Sequence, residues 1–173
     1  VGVVAACMGG VVDAILMRLV DLQLSFPAIL ISLMLLAMFG RGTGMVIIAL
    51  MLVQWAYYAR VVRATALAEL NNQYVEAARC MAFSHTRIVF RHLLPGSVPS
   101  LIVLATVQIA HAIALESTLS FLGLGTPVTR PSLGMLIASG YEHLLSGRYW
   151  VSTYPGIALV ILVLAINLVG DRL

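Results

Sequence analysis

Charged residues are scarce in this chain, and their scarcity excludes several classes of protein. Only 10% of the 173 residues are charged, whereas a soluble domain carries about 25%. Lysine is absent, so arginine supplies all ten basic side chains, and the net charge is only +3. These arginines form no stripe of the kind that binds nucleic acid. Because 61% of the residues are hydrophobic and the mean hydropathy is +1.03, the composition predicts a membrane protein.

Sequence motifs for catalysis, cofactors and metals are also missing. The chain has no G-x-x-x-x-G-K-[ST] phosphate loop, no H-E-x-x-H and no G-x-S-x-G. It therefore cannot hold ATP in the usual P-loop way. Cys7 and Cys80 lie far apart and are interpreted as two reduced thiols. His85 and His92 lie seven residues apart but lack further ligands, so we predict no metal site.

An intramembrane hydrolase is the enzyme class that needs weighing, because four suitable side chains lie close together in sequence. They are His111, Glu116, Ser117 and Ser120. His111 and Glu116 differ by five residues, about 140° around a helix, so they do not converge locally. We expect no catalytic residue and no cofactor.

Apolar segments of sufficient length predict four membrane spans and an all-α fold, a polytopic transmembrane helix bundle. A span needs about 20 residues, and the segments lie at about 17–39, 43–59, 98–119 and 153–169. The first is predicted to be one helix kinked at Pro27, because the 13 residues from Pro27 onwards would reach only about 20 Å. Residues 1–8 are too short to span, so we expect the chain to begin inside the end of another span.

Arginine distribution predicts the orientation of these spans. The loop at about 60–95 holds half of the arginines, and arginine-rich loops favour the cytoplasm. With alternating spans, seven arginines lie inside and three outside: Arg18, Arg60, Arg63, Arg79, Arg87, Arg91 and Arg172 against Arg41, Arg130 and Arg148. The loop at about 121–150 is then outside, and a short helix is expected at 133–145.

The cytoplasmic loop has the pattern of two short helices joined by a turn. Asn72 can cap a helix with Glu76 in its first turn, where a carboxylate is favourable. Ser84 can cap a second helix, and Pro95 is expected to prevent its smooth continuation. The pattern predicts either a compact protrusion that enters a groove in a partner or an amphipathic segment lying on lipid.

This loop resembles the "EAA" loop of bacterial ABC-importer permeases. Glu76-Ala77-Ala78 and Leu94-Pro95 stand in the matching places, and His92 is typical of the peptide-transporter branch. Ala82 occupies the family's glycine position, which predicts either a turn with positive φ, disfavoured by about 1 kcal/mol for alanine, or a turn that stays helical. The resemblance implies an ATPase-subunit interface, for which we select Tyr74, Val75, Glu76, Ala77, Ala78, Arg79, Met81, Ala82, Phe83, Ser84, Arg91, Leu94 and Pro95.

Further motifs resemble the C-type permease subunit of dipeptide, oligopeptide and nickel importers. These motifs are residues 13–18, 26–27, 116–125, 131–134 and 167–171, and they occur in the family's order. Leu133 stands where that subfamily usually has tryptophan. By this resemblance, the chain lacks the first span and most of the second, and it has the type I ABC-importer permease fold.

Two further groups of residues are candidate sites. Polar side chains in spans are costly in lipid, so Gln54, Gln108, His111 and Glu116, with Ala112 beside them, are expected either to line a translocation path or gate or to form interhelical hydrogen bonds. Gln108 and His111 are expected to share one helix face. A docking loop for a binding protein is suggested at Gly125, Pro127, Pro131, Ser132 and Gly134; a plain membrane-surface loop is the alternative.

The resemblance implies a transporter subunit of the bacterial inner membrane rather than an enzyme. The implied partners are a second permease in a hetero- or homodimer, two ABC ATPase subunits, an extracytoplasmic solute-binding protein and membrane lipid. The transported solute would be a peptide or a related small solute such as nickel. The alternatives are a membrane scaffold or channel whose loop binds lipid, and a degenerate importer remnant.

Overall fold

The structure, a computed structural model, describes residues 1–125, 131–141, 143–170 and 172, with backbone alone for Arg79, His85, His92 and Leu145. All regular secondary structure in these residues is helical. The α-helices are α1 Gly2–Met8, α2 Gly10–Ser25, α3 Ala28–Phe39, α4 Thr43–Leu70, α5 Gln73–Cys80, α6 His85–Ile88, α7 Leu94–Phe121, α8 Leu133–Tyr141 and α9 Trp150–Gly170. A π-helical turn covers Val89–Leu93, and a 3₁₀ turn covers Leu144–Ser146.

The helical structure is interrupted at Pro27, so residues 17–39 lie in two helices instead of one kinked helix. Helix α2 ends at Ser25, and α3 begins at Ala28 with Pro27 as its N-cap residue. The φ of Pro27 is −57° and its ψ is 126°, an extended backbone conformation that ends one helix and precedes the next. Proline also lacks the N–H that would continue the hydrogen bonding of α2. The bend predicted at Pro27 is therefore present, but as a break between two helices rather than as a kink within one helix.

In the described part of the chain, three helices are individually long and apolar enough to cross a membrane: α4, α7 and α9. Helices α2 and α3 satisfy the same condition only when they are taken together as a broken pair, which would give a fourth span. Because α4 extends from Thr43 to Leu70, its 28 residues are longer than the roughly 20 that a bilayer requires. The apolar side chains of these helices are largely exposed, as expected where lipid or another subunit covers them.

The chain divides into two compact units. The first comprises residues 1–25 and 55–105, and the second comprises residues 26–54 and 106–173. In the first unit, Val20 of α2 packs against Ala56 and Ala59 of α4 in a buried cluster. Two ion pairs lie between the same helices. Arg63 contacts both carboxylate oxygens of Asp13, and Arg60 contacts Asp21, each at 2.5 Å.

The second unit has its own apolar cluster, in which Leu36, Val46 and Leu119 are buried. Helix α8 lies close to α7, since a Cβ added to Gly134 would be 2.1 Å from the Ser117 carbonyl oxygen. The helix predicted at 133–145 ends at Tyr141.

Candidate functional site

Helices α5 and α6 with the π-helical turn form a small folded protrusion, residues 73–93, which we call the knob. Val75, Ala78, Ile88 and Leu93 are buried together at its centre. Leu70, Phe83 and Val89 pack around them. The knob therefore has an apolar core of its own, and this core makes the short polar segment stiff.

The turn between α5 and α6 is a Schellman motif, which ends a helix with one residue in the left-handed conformation. Ala82 has φ 56° and is the only described residue other than glycine with positive φ. The Phe83 N–H donates to the Ala78 carbonyl at 3.2 Å, the long-range bond of this motif. Of the two alternatives for Ala82, the structure has the turn with positive φ. Because the amide of Arg87 donates to Ser84 Oγ at 3.4 Å, Ser84 caps α6 as predicted.

We expect Ala82→Gly to stabilise the knob. Relief of the left-handed alanine is worth about 1–2 kcal/mol, and the extra freedom of glycine in the unfolded chain offsets about 0.4–1 kcal/mol of this. The measurable sign is slower hydrogen exchange of the Phe83 amide. Gly123 supplies the matched control, because it has φ 75° in an equivalent motif in which the Leu124 N–H donates to the Leu119 carbonyl. A Cβ added to Gly123 would meet no atom within 4 Å, so only the backbone conformation opposes a side chain there. Gly123→Ala should destabilise its turn, and equal signs for the two variants would refute the explanation.

The knob continues into α7 without a non-helical break. Pro95 lies in the first turn of α7, and the π-helical turn precedes it, with Leu94 N–H bonded to the Val89 carbonyl. Proline cannot donate to the carbonyl four residues earlier and its ring crowds that carbonyl, and a wider π turn accommodates both effects. As expected from Pro95, α6 does not continue smoothly as an α-helix, because a π-helical turn lies between α6 and α7; the backbone nevertheless stays helical, so α7 is a direct extension of the knob.

The predicted interface residues are divided between the surface and the core of the knob. Tyr74, Glu76, Ala77, Met81, Ala82, Ser84, Arg91 and Pro95 are exposed. Phe83 and Leu94 are partly buried, whereas Val75 and Ala78 are buried. Ala78, at 3% exposure, holds the knob together and leaves Ala77 as the accessible alanine of the motif. The backbone of Arg79 lies in α5.

Sequence reasoning missed three further surface residues of the knob. Phe90 is 67% exposed, and Arg87 lies over the Phe83 ring with its guanidinium carbon 4.2 Å from the ring centroid. Cys80 is also exposed. An apolar residue three positions from Arg87 on a polar loop was the signal that could have identified Phe90. The exposed face thus combines apolar and cationic groups.

Glu69 was also missed, although it hydrogen-bonds at the base of the knob. Its carboxylate accepts from the Tyr74 hydroxyl and, at 2.7 Å, from the Asn72 side-chain amide. The hydrogen bond to Glu69, together with burial, raises the pKa of Tyr74. Tyr74 is the donor in this hydrogen bond.

The polar residues predicted in the spans make different contacts within this chain. Gln54 donates from Nε2 to the Gln108 carbonyl at 3.4 Å, so α4 and α7 share an interhelical hydrogen bond in the second unit. The Gln108 side chain is only 4% exposed, whereas His111 is exposed, so they lie in different environments. Glu116 accepts from Ser120 Oγ at 2.6 Å, and Ala112 is partly buried. Gln108 Nε2 has no hydrogen-bond partner among the described residues.

The predicted docking loop is partly packed against α7. Gly125 and Gly134 are buried, and a Cβ on either would collide with Ser120 or Ser117 respectively. Ser132 Oγ accepts from the Met135 amide at 3.3 Å, so Ser132 caps α8. Pro131 is exposed, and Pro127 lies outside the described residues.

Known proteins resemble this chain over its whole length. A putative peptide transport system permease protein of Brucella suis biovar 1 (strain 1330) is 40% identical over 183 residues, covering 100% of this chain and 62% of the relative. A putative peptide permease protein of Brucella ovis is 40% identical over 174 residues, covering 100% of this chain and 58% of the relative. A nickel transport system permease protein of Escherichia coli (strain K12) is 36% identical over 176 residues, with 100% and 62% covered.

The chain therefore spans about three fifths of the length of these relatives. The family model described as "binding-protein-dependent transport system inner membrane component" matches residues 1–173. This match and the apolar helices confirm the predicted all-α, multi-pass permease fold. The chain belongs to the family of inner membrane components of binding-protein-dependent transport systems.

Proposed function

We propose that this chain is part of the membrane-spanning subunit of an ATP-binding-cassette importer. In this function the knob enters a groove in a separate ATPase subunit, which hydrolyses ATP. Closure of two such ATPases displaces the knob, and the attached helices alternate between inward-open and outward-open states. The partners are a second permease subunit, two ATPases, an extracytoplasmic solute-binding protein and membrane lipid.

The observation that carries this proposal is the knob's own apolar core combined with its direct continuation into α7. A stiff element can transmit a displacement, whereas a flexible loop would absorb it. Five arginines at residues 60–91 favour the cytoplasmic side for this segment. That side is where an ATPase would dock.

The solute is proposed from relatives rather than from a pocket. Relatives named for peptide transport are 40% identical to this chain, and one named for nickel transport is 36% identical. We therefore propose peptides as the solute class, with nickel as the second candidate. Competition between labelled dipeptide and Ni²⁺ uptake in cells that carry the assembled transporter separates the two.

Cysteine cross-linking tests the docking face with a matched pair of neighbouring alanines. Ala77 is exposed and Ala78 is buried, so a maleimide linker should join Ala77→Cys to a co-expressed ATPase and should leave Ala78→Cys unreacted. The native thiols Cys7 and Cys80 are both exposed and must first be replaced by serine.

Absence of a cross-link from Ala77→Cys to the ATPase would contradict the proposal. Labelling of the same cysteine by a thiol-reactive probe confined to the bilayer would instead favour the lipid-binding alternative. The exposed Phe90 beside Arg87 and Arg91 is the feature such a lipid surface would use.

A further inference from the structure

Glu69 lies where three helical elements of the first unit meet. It is the penultimate residue of α4, and its carboxylate accepts hydrogen bonds from Asn72 and Tyr74. Asn72 precedes α5 directly, and Tyr74 lies in the first turn of α5. One side chain therefore joins the end of α4 to the start of the knob, across the short link at residues 71–72.

The same side chain also lies against the start of α7. A Cβ added to Gly96 would be 2.8 Å from Glu69 Cδ and 3.0 Å from Oε1. Gly96 is the third residue of α7, so the absence of a side chain there lets the Glu69 carboxylate approach the helix backbone. Glu69 is partly buried in this position.

The apolar core of the knob does not supply this connection by itself. Its buried members, Val75, Ala78, Ile88 and Leu93, all belong to the knob. They make it stiff internally, and Leu70 at the end of α4 packs against them, but apolar contacts alone leave the angle between α4 and α5 adjustable. Hydrogen bonds have directional requirements that apolar packing lacks, so the bonds of Glu69 restrict the angle between α4 and α5.

We propose that Glu69 is a positioning residue that fixes the base of the knob to both α4 and α7. It contacts neither solute nor nucleotide in this function, and it acts through Asn72, Tyr74 and Gly96. The inference rests on the proposed function, because it concerns how a displacement of the knob reaches the membrane-spanning helices. We call the contacts of Glu69 with Asn72, Tyr74 and Gly96 the clamp. Loss of the clamp should separate ATP hydrolysis from solute movement.

Glu69→Ala in the assembled transporter, reconstituted in liposomes, tests the proposal. The ATPase should stay bound and continue to hydrolyse ATP, because Tyr74 is the one residue of the proposed interface that is hydrogen-bonded to Glu69 among those described, and Glu76 and Ala77 remain exposed. The number of solute molecules imported per ATP hydrolysed, which we call the import ratio, should fall about fivefold or more. Fivefold is about the lower end of the usual range of coupling between two sites. Glu69→Gln keeps an acceptor oxygen and should restore much of the ratio, whereas Glu69→Met, which fills a similar space without an acceptor for Asn72 and Tyr74, should not.

Two other variants reach the clamp from its partner side. Gly96→Ala places a methyl group where the Glu69 side chain now lies, so the carboxylate must move although it is still present. Tyr74→Phe removes the donating hydroxyl and keeps the ring. Each should lower the import ratio in the same direction as Glu69→Ala, and neither should add its full effect to that of Glu69→Ala, because all three act on one contact.

The outcomes separate this inference from the proposed function. A normal import ratio for Glu69→Ala overturns the clamp. Loss of ATPase binding together with faster hydrogen exchange of the Phe83 amide also overturns it, since Glu69 would then support the fold of the knob. The proposed function fails independently, through the cross-linking of Ala77→Cys in a chain with intact Glu69.

Discussion

Leu93→Ala is expected to lower the free energy of unfolding of the knob by about 2–5 kcal/mol, the usual range for a buried leucine. Leu93 is 0% exposed and contacts the other buried residues of the knob. Its removal leaves a cavity in a small core, in which four of the described side chains are buried. Hydrogen exchange at residues 75–93 should become fast, and uptake should fall because a loosened knob transmits little displacement.

Phe90→Ala is the control for Leu93→Ala. Phe90 lies in the same π-helical turn but is 67% exposed, so its truncation should leave hydrogen exchange in the knob almost unchanged. Any decrease in uptake by Phe90→Ala would then come from a lost surface contact. Equal protection in the Leu93→Ala and native proteins would show that the buried cluster does not stabilise the knob.

Glu76→Lys should abolish association with the ATPase, and with it transport, while membrane insertion stays intact. Glu76 is exposed in the first turn of α5, so no core packing is lost when it is replaced. The change reverses the charge in the proposed interface and places a cation at the positive end of a helix, an effect of about 0.3–1 kcal/mol. That helix term is too small to unfold the knob. Co-purification of the ATPase with the variant is the direct measurement.

Glu76→Gln separates charge from shape at this position. It keeps the size of the side chain and removes only the negative charge, so ATPase binding should weaken less than in Glu76→Lys. Normal solute uptake by Glu76→Lys would count against a docking function for this face of the knob.

The two predictions address different parts of one mechanism. Leu93 concerns the internal stiffness of the knob, and Glu76 concerns its outer surface. The clamp at Glu69 concerns the connection of the knob to the long helices. Because these three properties lie in separate side chains, a transport defect can be assigned to one of them by combining hydrogen exchange, ATPase co-purification and the import ratio.

Much of the fold followed from the sequence because lipid imposes a simple rule. A spanning segment must satisfy its own backbone hydrogen bonds and must be apolar over about 20 residues. Runs of such residues predicted the helices α4, α7 and α9, which the structure shows as long helices. The cap at Ser84 before α6 and the position of Glu76 in the first turn of α5 likewise followed from local capping and charge rules, which depend on neighbouring residues alone.

The break at Pro27 and the π-helical turn before Pro95 are details that local rules did not specify. Both prolines remove one hydrogen-bond donor, yet one ends a helix and the other lies in the first turn of α7. The difference is set by what surrounds each proline. A π-helical turn accommodates Pro95 next to the packed core of the knob. The spacing of residues in the sequence does not predict this π-helical turn.

The sequence by itself determined that this chain is helical, lies in a membrane and carries a motif of permease subunits, because composition and motif order need no tertiary contact. Only the tertiary structure decided which alanine of the motif is covered, that Ala82 is left-handed, and that Glu69 meets Asn72, Tyr74 and Gly96. The physical reason is that burial of a helix face and the convergence of side chains depend on how separate elements pack, and helical periodicity gives only the spacing of residues on one element.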